Sequence, residues 1–543
     1  MEEQASAPPT PLASTPVAGH QLTDEEKLHE LGYAQELKRR MSGFNNFAVS
    51  FTIISILSGC LTLYYYGLLH GGPPVMVWGW LGVGVVVLFA GMAMGEICSA
   101  YPTAGGLYYW AAKCAPGKSG PVWSWFTGWF NLLGQVAVTA GISFGCALST
   151  SALLAMITGN AAWLDPKRTI AFLAGILFVQ GMLNTFGVQI VALLNDVSVW
   201  WHLLGVAVIV ILLFIAPHSH AHQSASFVFG SEGYRAFKGL SGFSFAPYIV
   251  LIGLLNAQYT YTGYDASAHM TEETINAAIN GPKGIVRSIW VSLIAGFVLL
   301  VGVSFAIPSH FPFSTMGSDF KSFSDIAVNP VAWAPIFDQS VGRVLAELLL
   351  VVVIVAQFFC GMSSITANSR MIYAFSRDGA VPFHNFWHNI NKRTRTPVHS
   401  VWFGAVGAFL LSFWYIWSVV AYFAVTSIAV IGLYIAYLTP VFLRRINPKP
   451  FVPGPWKLSK RWGPVIGWIA IVWVVFICIV LMLPQAAPTN LLVDFNFAPV
   501  AVVAVIGFAG IWYLVSARKW FKGPKIQGTA EELAEIEKDL SSV

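Results

Sequence analysis

An all-α polytopic membrane protein of twelve spans is predicted by three features of the sequence. Of its 543 residues, 56% are hydrophobic and only 10% charged, whereas a soluble globular chain carries about 25% charged residues. Apolar runs of roughly 18 residues or more recur, the length a helix needs to cross a bilayer. The basic residues are also unevenly placed. With both termini in the cytosol, 24 of the 30 Lys and Arg fall in cytosolic segments and 6 in external ones, as the positive-inside rule requires.

The elements follow in order. Residues 1–43 read as a cytosolic N-terminal tail. Its first 20 residues are rich in Ala, Pro, Ser and Thr and hold no Lys or Arg. They match neither a secretory signal nor an Arg-rich transit peptide, and their composition predicts disorder. Glu25 to Arg40 is polar and helix-compatible, which predicts a surface helix before the membrane. Spans one to five are placed at about 44–69, 75–98, 123–157, 169–189 and 196–215, within a first set covering 44–216. Pro102 and Gly105-Gly106 force a turn after span two. An external loop follows at 217–244. Spans six to ten, at about 245–270, 286–307, 344–375, 399–416 and 418–442, form a second set covering 245–443. Residues 444–517 supply a cytosolic loop and spans eleven and twelve, at 465–483 and 498–515, and 518–543 is a charged cytosolic tail. The six cysteines form no CxxC pair and lie mostly in apolar runs, as small core residues do. His218, His220 and His222 alternate as metal ligands can, but their loop lacks carboxylates at ligand spacing, so no metal is expected.

The first span of each set carries an interruption. In span one it is LSGCLT, with the break expected at Ser58-Gly59; in span six it is TGYDAS, Thr262 to Ser267. Either glycine alone is adequately explained as a helix-packing contact. The matched pair is instead the signature of a binding site between inverted repeats. A broken helix exposes N–H groups that suit a carboxylate and carbonyls that suit an ammonium, and lipid tolerates such backbone only where it lines a cavity. Asp265 beside the second break costs about 3 kcal/mol to insert. Three readings stand for it: it holds a proton, pairs with a cation, or caps the following half-helix.

The motifs ELGYAQELKRRMSGFNNFAVSF, GEICSAYPTAGGLYYWAA, GWFNLLGQ, YTGYDASAHMTEET, CGMSSITANSRMIYAFSRDGAVP, SIAVIGLYIAY and FVPGPWKLSK resemble those of the amino acid–polyamine–organocation transporters. The chain is similar to their amino acid/choline branch, which includes fungal GABA permeases and plant bidirectional amino acid transporters. The resemblance spans nearly the whole chain. It implies a five-plus-five inverted-repeat fold with broken helices one and six, spans eleven and twelve outside the repeat, and alternating access for an amino acid or GABA.

Residue roles follow from it. Ser58, Gly59 and Cys60 match the small-residue break of the family's first span, so their N–H groups are assigned to the substrate carboxylate. Thr62 either adds a hydroxyl or bonds back to its own helix. Tyr261, Thr262, Gly263 and Tyr264 are expected to form the opposite wall, with Tyr261 or Tyr264 as a gate or as ordinary packing. In related transporters a Lys of span five contacts spans one and eight, where a cation replaces sodium. His202 stands at what resembles that position, able to titrate near neutral pH or simply bonded to backbone. Ser363 and Ser364 are its expected neighbours. Glu96, Arg370, Arg377 and Asp378 are expected to form ion pairs closing a cytosolic gate, with topology charges as the other reading of the two Arg.

The function expected is therefore secondary amino acid transport, coupled to protons in preference to sodium because Asp265 and His202 titrate. Exchange or uncoupled bidirectional transport is the alternative. A receptor that binds without transporting is the rival from another class, and its usual large signalling tail is missing from a tail of about 25 residues. An enzyme is disfavoured, since neither a Ser/His/Asp grouping nor HExxH occurs, and the lack of GxxxxGK[ST] argues against ATP-driven transport. No cofactor, metal or nucleic acid is expected. The partners are the amino acid, the proton and the lipid bilayer, with the plasma membrane as the expected location.

Overall fold

The computed structural model describes residues 22–541 except 187, 216–221, 392, 418–419 and 486–494. Among the described residues, eleven helical stretches are long and apolar enough to span a membrane. Span six makes the twelfth, and it escapes that count because it is broken into Ala246–Gly253, Leu255–Thr260 and Ala266–His269. The other spans are Gly43–Thr62 with an internal break, Gly72–Ala100, Gly120–Thr158, Pro166–Phe186, Val188–Ile215, Ala277–Phe305, Arg343–Arg377, Val398–Ser412, Val420–Ile446, Trp462–Met482 and Ala498–Trp512. The expected twelve-span architecture is thus present. The first 20 residues, expected to be disordered, lie outside the described residues.

The outward faces are what a bilayer demands. In span five, Leu193, Val197, Trp200, Leu204, Val208 and Ile211 are all exposed at helical spacing. In water such a stripe would be a large apolar patch, but against lipid it is the ordinary outer surface. Inside, small residues let backbones touch, because lipid supplies no hydrophobic drive to pull helices together. A Cβ on Gly134 of span three would lie 2.6 Å from the backbone nitrogen of Leu433 in span ten. Spans one and six run antiparallel: Asn46 reaches Ser267 and Thr274, Ser50 reaches Tyr264, and Cys60 reaches Asn256.

The N-terminal segment departs from expectation. The helix covers only Asp24–Glu30, started by a Thr23/Glu26 capping box. It stops because Gly32 takes φ +98°, the left-handed conformation that ends helices. Residues after it run irregularly inward, with Tyr33, Ala34 and Leu37 buried. Their apolar contacts, together with bonds from Gln35 to the Glu272 carbonyl and from Arg39 to the Thr271 and Thr274 carbonyls, outweigh the local preference for continued helix. The charged C-terminal tail is ordered too. Its helix Ala530–Ser541 places Glu537 against His29 and the Gln35 N–H, and Gln527 receives the Ala34 N–H.

One buried carboxylate ties the two termini to span eight. Asp378 accepts the Lys525 N–H at 3.1 Å, the Tyr108 hydroxyl at 2.8 Å and the Tyr33 hydroxyl at 3.1 Å. Burial pushes its carboxyl up to about 6, against the opposing pull of Arg377 and these donors. The folded state therefore holds this proton more tightly than the unfolded chain, whose Asp titrates near about 4. The stability so gained is complete below about pH 4 and is lost as pH rises through about 6. Relative to Asp378→Asn, the wild-type protein should lose thermal stability between those pH values and show a constant difference above them. A pH-independent difference in melting temperature would refute this.

Candidate functional site

The break in span one falls at Ser55, three residues before the expected Ser58-Gly59. Ser55 takes φ 38° and ψ 82°, ending the half-helix Gly43–Ile54 and starting Ile56–Thr62. A non-glycine residue in this conformation needs support. The Ser55 hydroxyl accepts the Ser58 N–H at 3.2 Å and lies 2.6 Å from His202 Nε2. The other ring nitrogen, Nδ1, faces the Ser198 carbonyl at 2.8 Å. A carbonyl only accepts, so Nδ1 carries the hydrogen and Nε2 accepts from Ser55.

This geometry corrects the donor assignment. The N–H groups of Ser58 and Gly59 both donate to the Ser55 carbonyl, at 2.9 and 2.7 Å, and Cys60 lies a full turn inside the half-helix Ile56–Thr62, where its N–H is used by the helix itself. The groups that head the second half-helix are the N–H of Ile56 and Leu57. Gly59 serves close approach instead: a Cβ there would meet Thr260 at 2.5 Å. Thr62 does not bond back to its helix through a carbonyl; its hydroxyl accepts from Gln357 of span eight at 3.2 Å.

The break in span six falls where expected, at Tyr261 to Asp265, with Gly263 at φ +93°. A Cβ on Gly263 would lie 2.2 Å from the Ile53 side chain, so the two breaks touch. Tyr261 stacks on Trp80 at 4.2 Å and Tyr264 packs on Tyr437 at 4.7 Å. Between the breaks lies a narrow void of about 10 Å³, lined by Ile53, Ile54, Ser58, Gly59, Thr260 and Thr262, with Tyr259 and Cys360 beside them. Tyr261, Tyr264, Cys60 and Thr62 stand behind this wall. The buried Tyr259 hydroxyl has no hydrogen-bond partner.

Asp265 is fully buried and precedes the half-helix Ala266–His269 without capping it through its side chain. Its Oδ1 accepts the Tyr437 hydroxyl at 2.6 Å, and its Oδ2 accepts Gln135 Nε2 at 2.7 Å and lies 3.2 Å from His269 Nε2. The Tyr437 hydroxyl also accepts the Gly263 N–H at 3.1 Å. Ser363 and Ser364 are not neighbours of His202 in the bonding network. Ser363 donates to Asn195 at 2.5 Å, and Ser364 pairs with Thr139 of span three at 2.7 Å. The helical turn separates them: consecutive residues point about 100° apart, so they serve different spans.

The four expected gate residues find other partners than one another. Arg377 pairs with Glu272 at 3.1 Å and Arg370 with Glu273 at 2.8 Å, all four side chains being nearly inaccessible. Glu96 pairs with Arg444, and Asp378 takes the tyrosines and the tail. Two buried ion pairs therefore join span eight to the end of span six at the face that carries both termini. The sequence reading missed Ser55, Tyr259, His269, Glu272 and Glu273, as well as Gln135 and Tyr437. Most were visible as polar residues in apolar surroundings, and Glu272-Glu273 sat within a quoted motif. The long-range side-chain partners of the bonded ones, 97 to 172 residues away, were not.

The comparisons with known proteins agree with this geometry. The family model described as amino acid permease matches residues 42–509. Amino-acid permease BAT1 of Arabidopsis thaliana is 42% identical over 92% of this chain and 95% of its own length. A homolog of it from Oryza sativa is 40% identical over 95% of this chain and 98% of its own. The GABA-specific permease of Saccharomyces cerevisiae is 29% identical over 93% and 86%. With its broken spans one and six meeting at their breaks, and a match that runs almost end to end, the chain belongs to the amino acid permease family of the amino acid–polyamine–organocation superfamily.

Proposed function

We propose that this protein is a secondary transporter of amino acids, GABA included, that works by alternating access and is coupled to protons. The observation that carries this reading is the pair of helix breaks, at Ser55 and Gly263, that face each other across a narrow void. At Ser55 the negative end of one half-helix meets the positive end of the next within one residue. The carbonyl of Ile54 and the N–H groups of Ile56 and Leu57 thus suit an ammonium and a carboxylate a few ångström apart. A zwitterion presents that pair of charges, in a site with no formal side-chain charge on its wall. The Tyr259 hydroxyl is a further polar contact for the bound molecule. The printed names of the Arabidopsis and yeast relatives point to the same substrate class.

The uneven placement of Lys and Arg supports cytosolic termini, with the plasma membrane as the location. The Glu272–Arg377 and Glu273–Arg370 pairs then hold the cytosolic side shut. His202 sets the conformation of Ser55, and Asp265 is the buried acid for coupling. The test is uptake of labelled amino acids and GABA into liposomes holding the purified protein. Accumulation or exchange of at least one compound is expected, and neither occurring for any compound would exclude a transporter. Exchange that ignores a proton gradient would favour the exchanger or facilitator reading.

A further inference from the structure

Resting on the transport reading, we infer that Asp265 and His269 share a single transported proton, and that its presence is relayed through Ala104 to the Glu272–Arg377 gate. His269 is fully buried, as is Asp265. Its Nδ1 lies 2.9 Å from the Ala104 carbonyl, an acceptor only, so Nδ1 bears a hydrogen in every protonation state. Its Nε2 faces Asp265 Oδ2 at 3.2 Å. A proton between them makes this contact a hydrogen bond, as Asp265 O–H donating to Nε2 or as imidazolium N–H donating to Oδ2.

The surroundings accommodate the pair with and without that proton. Asn131 of span three places its amide nitrogen 3.2 Å from Nε2, while its Oδ1 is buried without a partner. With the proton absent, the amide NH2 donates to Nε2, and Asp265 remains an anion held by Tyr437 and Gln135. With imidazolium present, a flipped Asn131 turns its oxygen to Nε2–H. Both states satisfy their hydrogen bonds, which is what reversible binding requires. Among the described residues no other free charge competes: spans three and ten offer Asn131, Gln135 and Tyr437, while Glu272, Glu273, Arg370 and Arg377 neutralise one another. Lys283 and Arg287 of span seven are exposed, and Asp378 is engaged with Tyr108.

The relay is a single residue. Ala104 accepts from His269 through its carbonyl and donates its N–H to Glu272 Oε1 at 2.9 Å. Glu272 is the carboxylate that holds Arg377. On the other side, Tyr437 joins Asp265 to the Gly263 N–H at the span-six break, next to the cavity-lining Thr262. The proton thus sits between cavity and gate. Its departure passes His269 Nε2 to the Asn131 amide, and the Ala104 bridge between His269 and Glu272 carries that change to the gate.

The experiment uses the full-length protein in liposomes, with labelled GABA and the twenty labelled amino acids as probes and the membrane potential clamped. An inward gradient of one pH unit should drive about tenfold accumulation for one proton per substrate. His269→Gln and the isosteric Asp265→Asn should each abolish this accumulation while counterflow at equal pH stays measurable. Accumulation persisting in either variant would overturn the proposal. So would loss of counterflow in both variants at wild-type melting temperature, because the residues would then serve substrate binding. Wild-type counterflow without gradient-driven accumulation overturns the proton site but leaves the transport reading standing. No flux of any probe in the wild type sinks both.

Discussion

Arg377→Ala is expected to destabilise this protein by about 3–5 kcal/mol, the usual result of stranding one charge of a buried pair. The guanidinium is only 4% exposed, and its partner Glu272 is not exposed at all. Two contacts hold Glu272, Arg377 and the Ala104 N–H, and the truncation leaves only the second. The guanidinium also lies 3.9 Å over the ring of Tyr33, so the N-terminal segment loses a cation–π contact as well. Arg377→Lys should recover little, since a point charge reproduces neither the fork nor the stacking. Glu272→Ala together with Arg377→Ala should recover more, because no unpaired charge remains. Thermal unfolding in detergent of the four proteins decides the matter. A fall no larger than that of an exposed pair, under about 1 kcal/mol, would mean the gate is open to water in solution.

Gly263→Leu is expected to abolish substrate transport and to lower stability too, by roughly 1–3 kcal/mol for the backbone alone. Two separate demands meet at this residue. Its φ of +93° is open to glycine and strained for leucine. Its Cβ would also fall 2.2 Å from the Ile53 side chain, on the half-helix that forms the other wall of the cavity. The clash must push the two breaks apart or fill the cavity between them. Adding Ile53→Ala should restore part of the stability by removing the clash, but not the transport, because the strained backbone at the break remains. Full recovery of transport in the double variant would show that steric contact alone, and not the backbone conformation, governs the site.

The breaks show how far a sequence can be read. Span six was legible because Gly263 and Asp265 stand together in an apolar segment, and bilayer physics makes both conspicuous. Span one misled by three residues. Ser58-Gly59 has the composition of a break, yet those residues sit inside a half-helix whose left-handed residue is Ser55. A serine adopts that conformation only when supported, and the support is His202, 147 residues away. The same holds for the gate. Arg370 and Arg377 were recognised, but the sequence placed Glu96 and Asp378 with them because all four lay near one membrane face. Packing gave them Glu273 and Glu272 instead.

What the sequence determined by itself is the number of spans, the family and the fact that spans one and six are interrupted. The bilayer enforces these locally, since each span must be long and apolar and must satisfy its own backbone hydrogen bonds wherever it meets lipid. What only the tertiary structure decided is the pairing of polar groups inside: Asp265 with Gln135, Tyr437 and His269, Ser55 with His202, and Glu272 with Ala104 and Arg377. Away from water a polar group must find a partner within hydrogen-bond reach. Which residue that is depends on the side chain the packed helices bring opposite it, and chain order does not encode this.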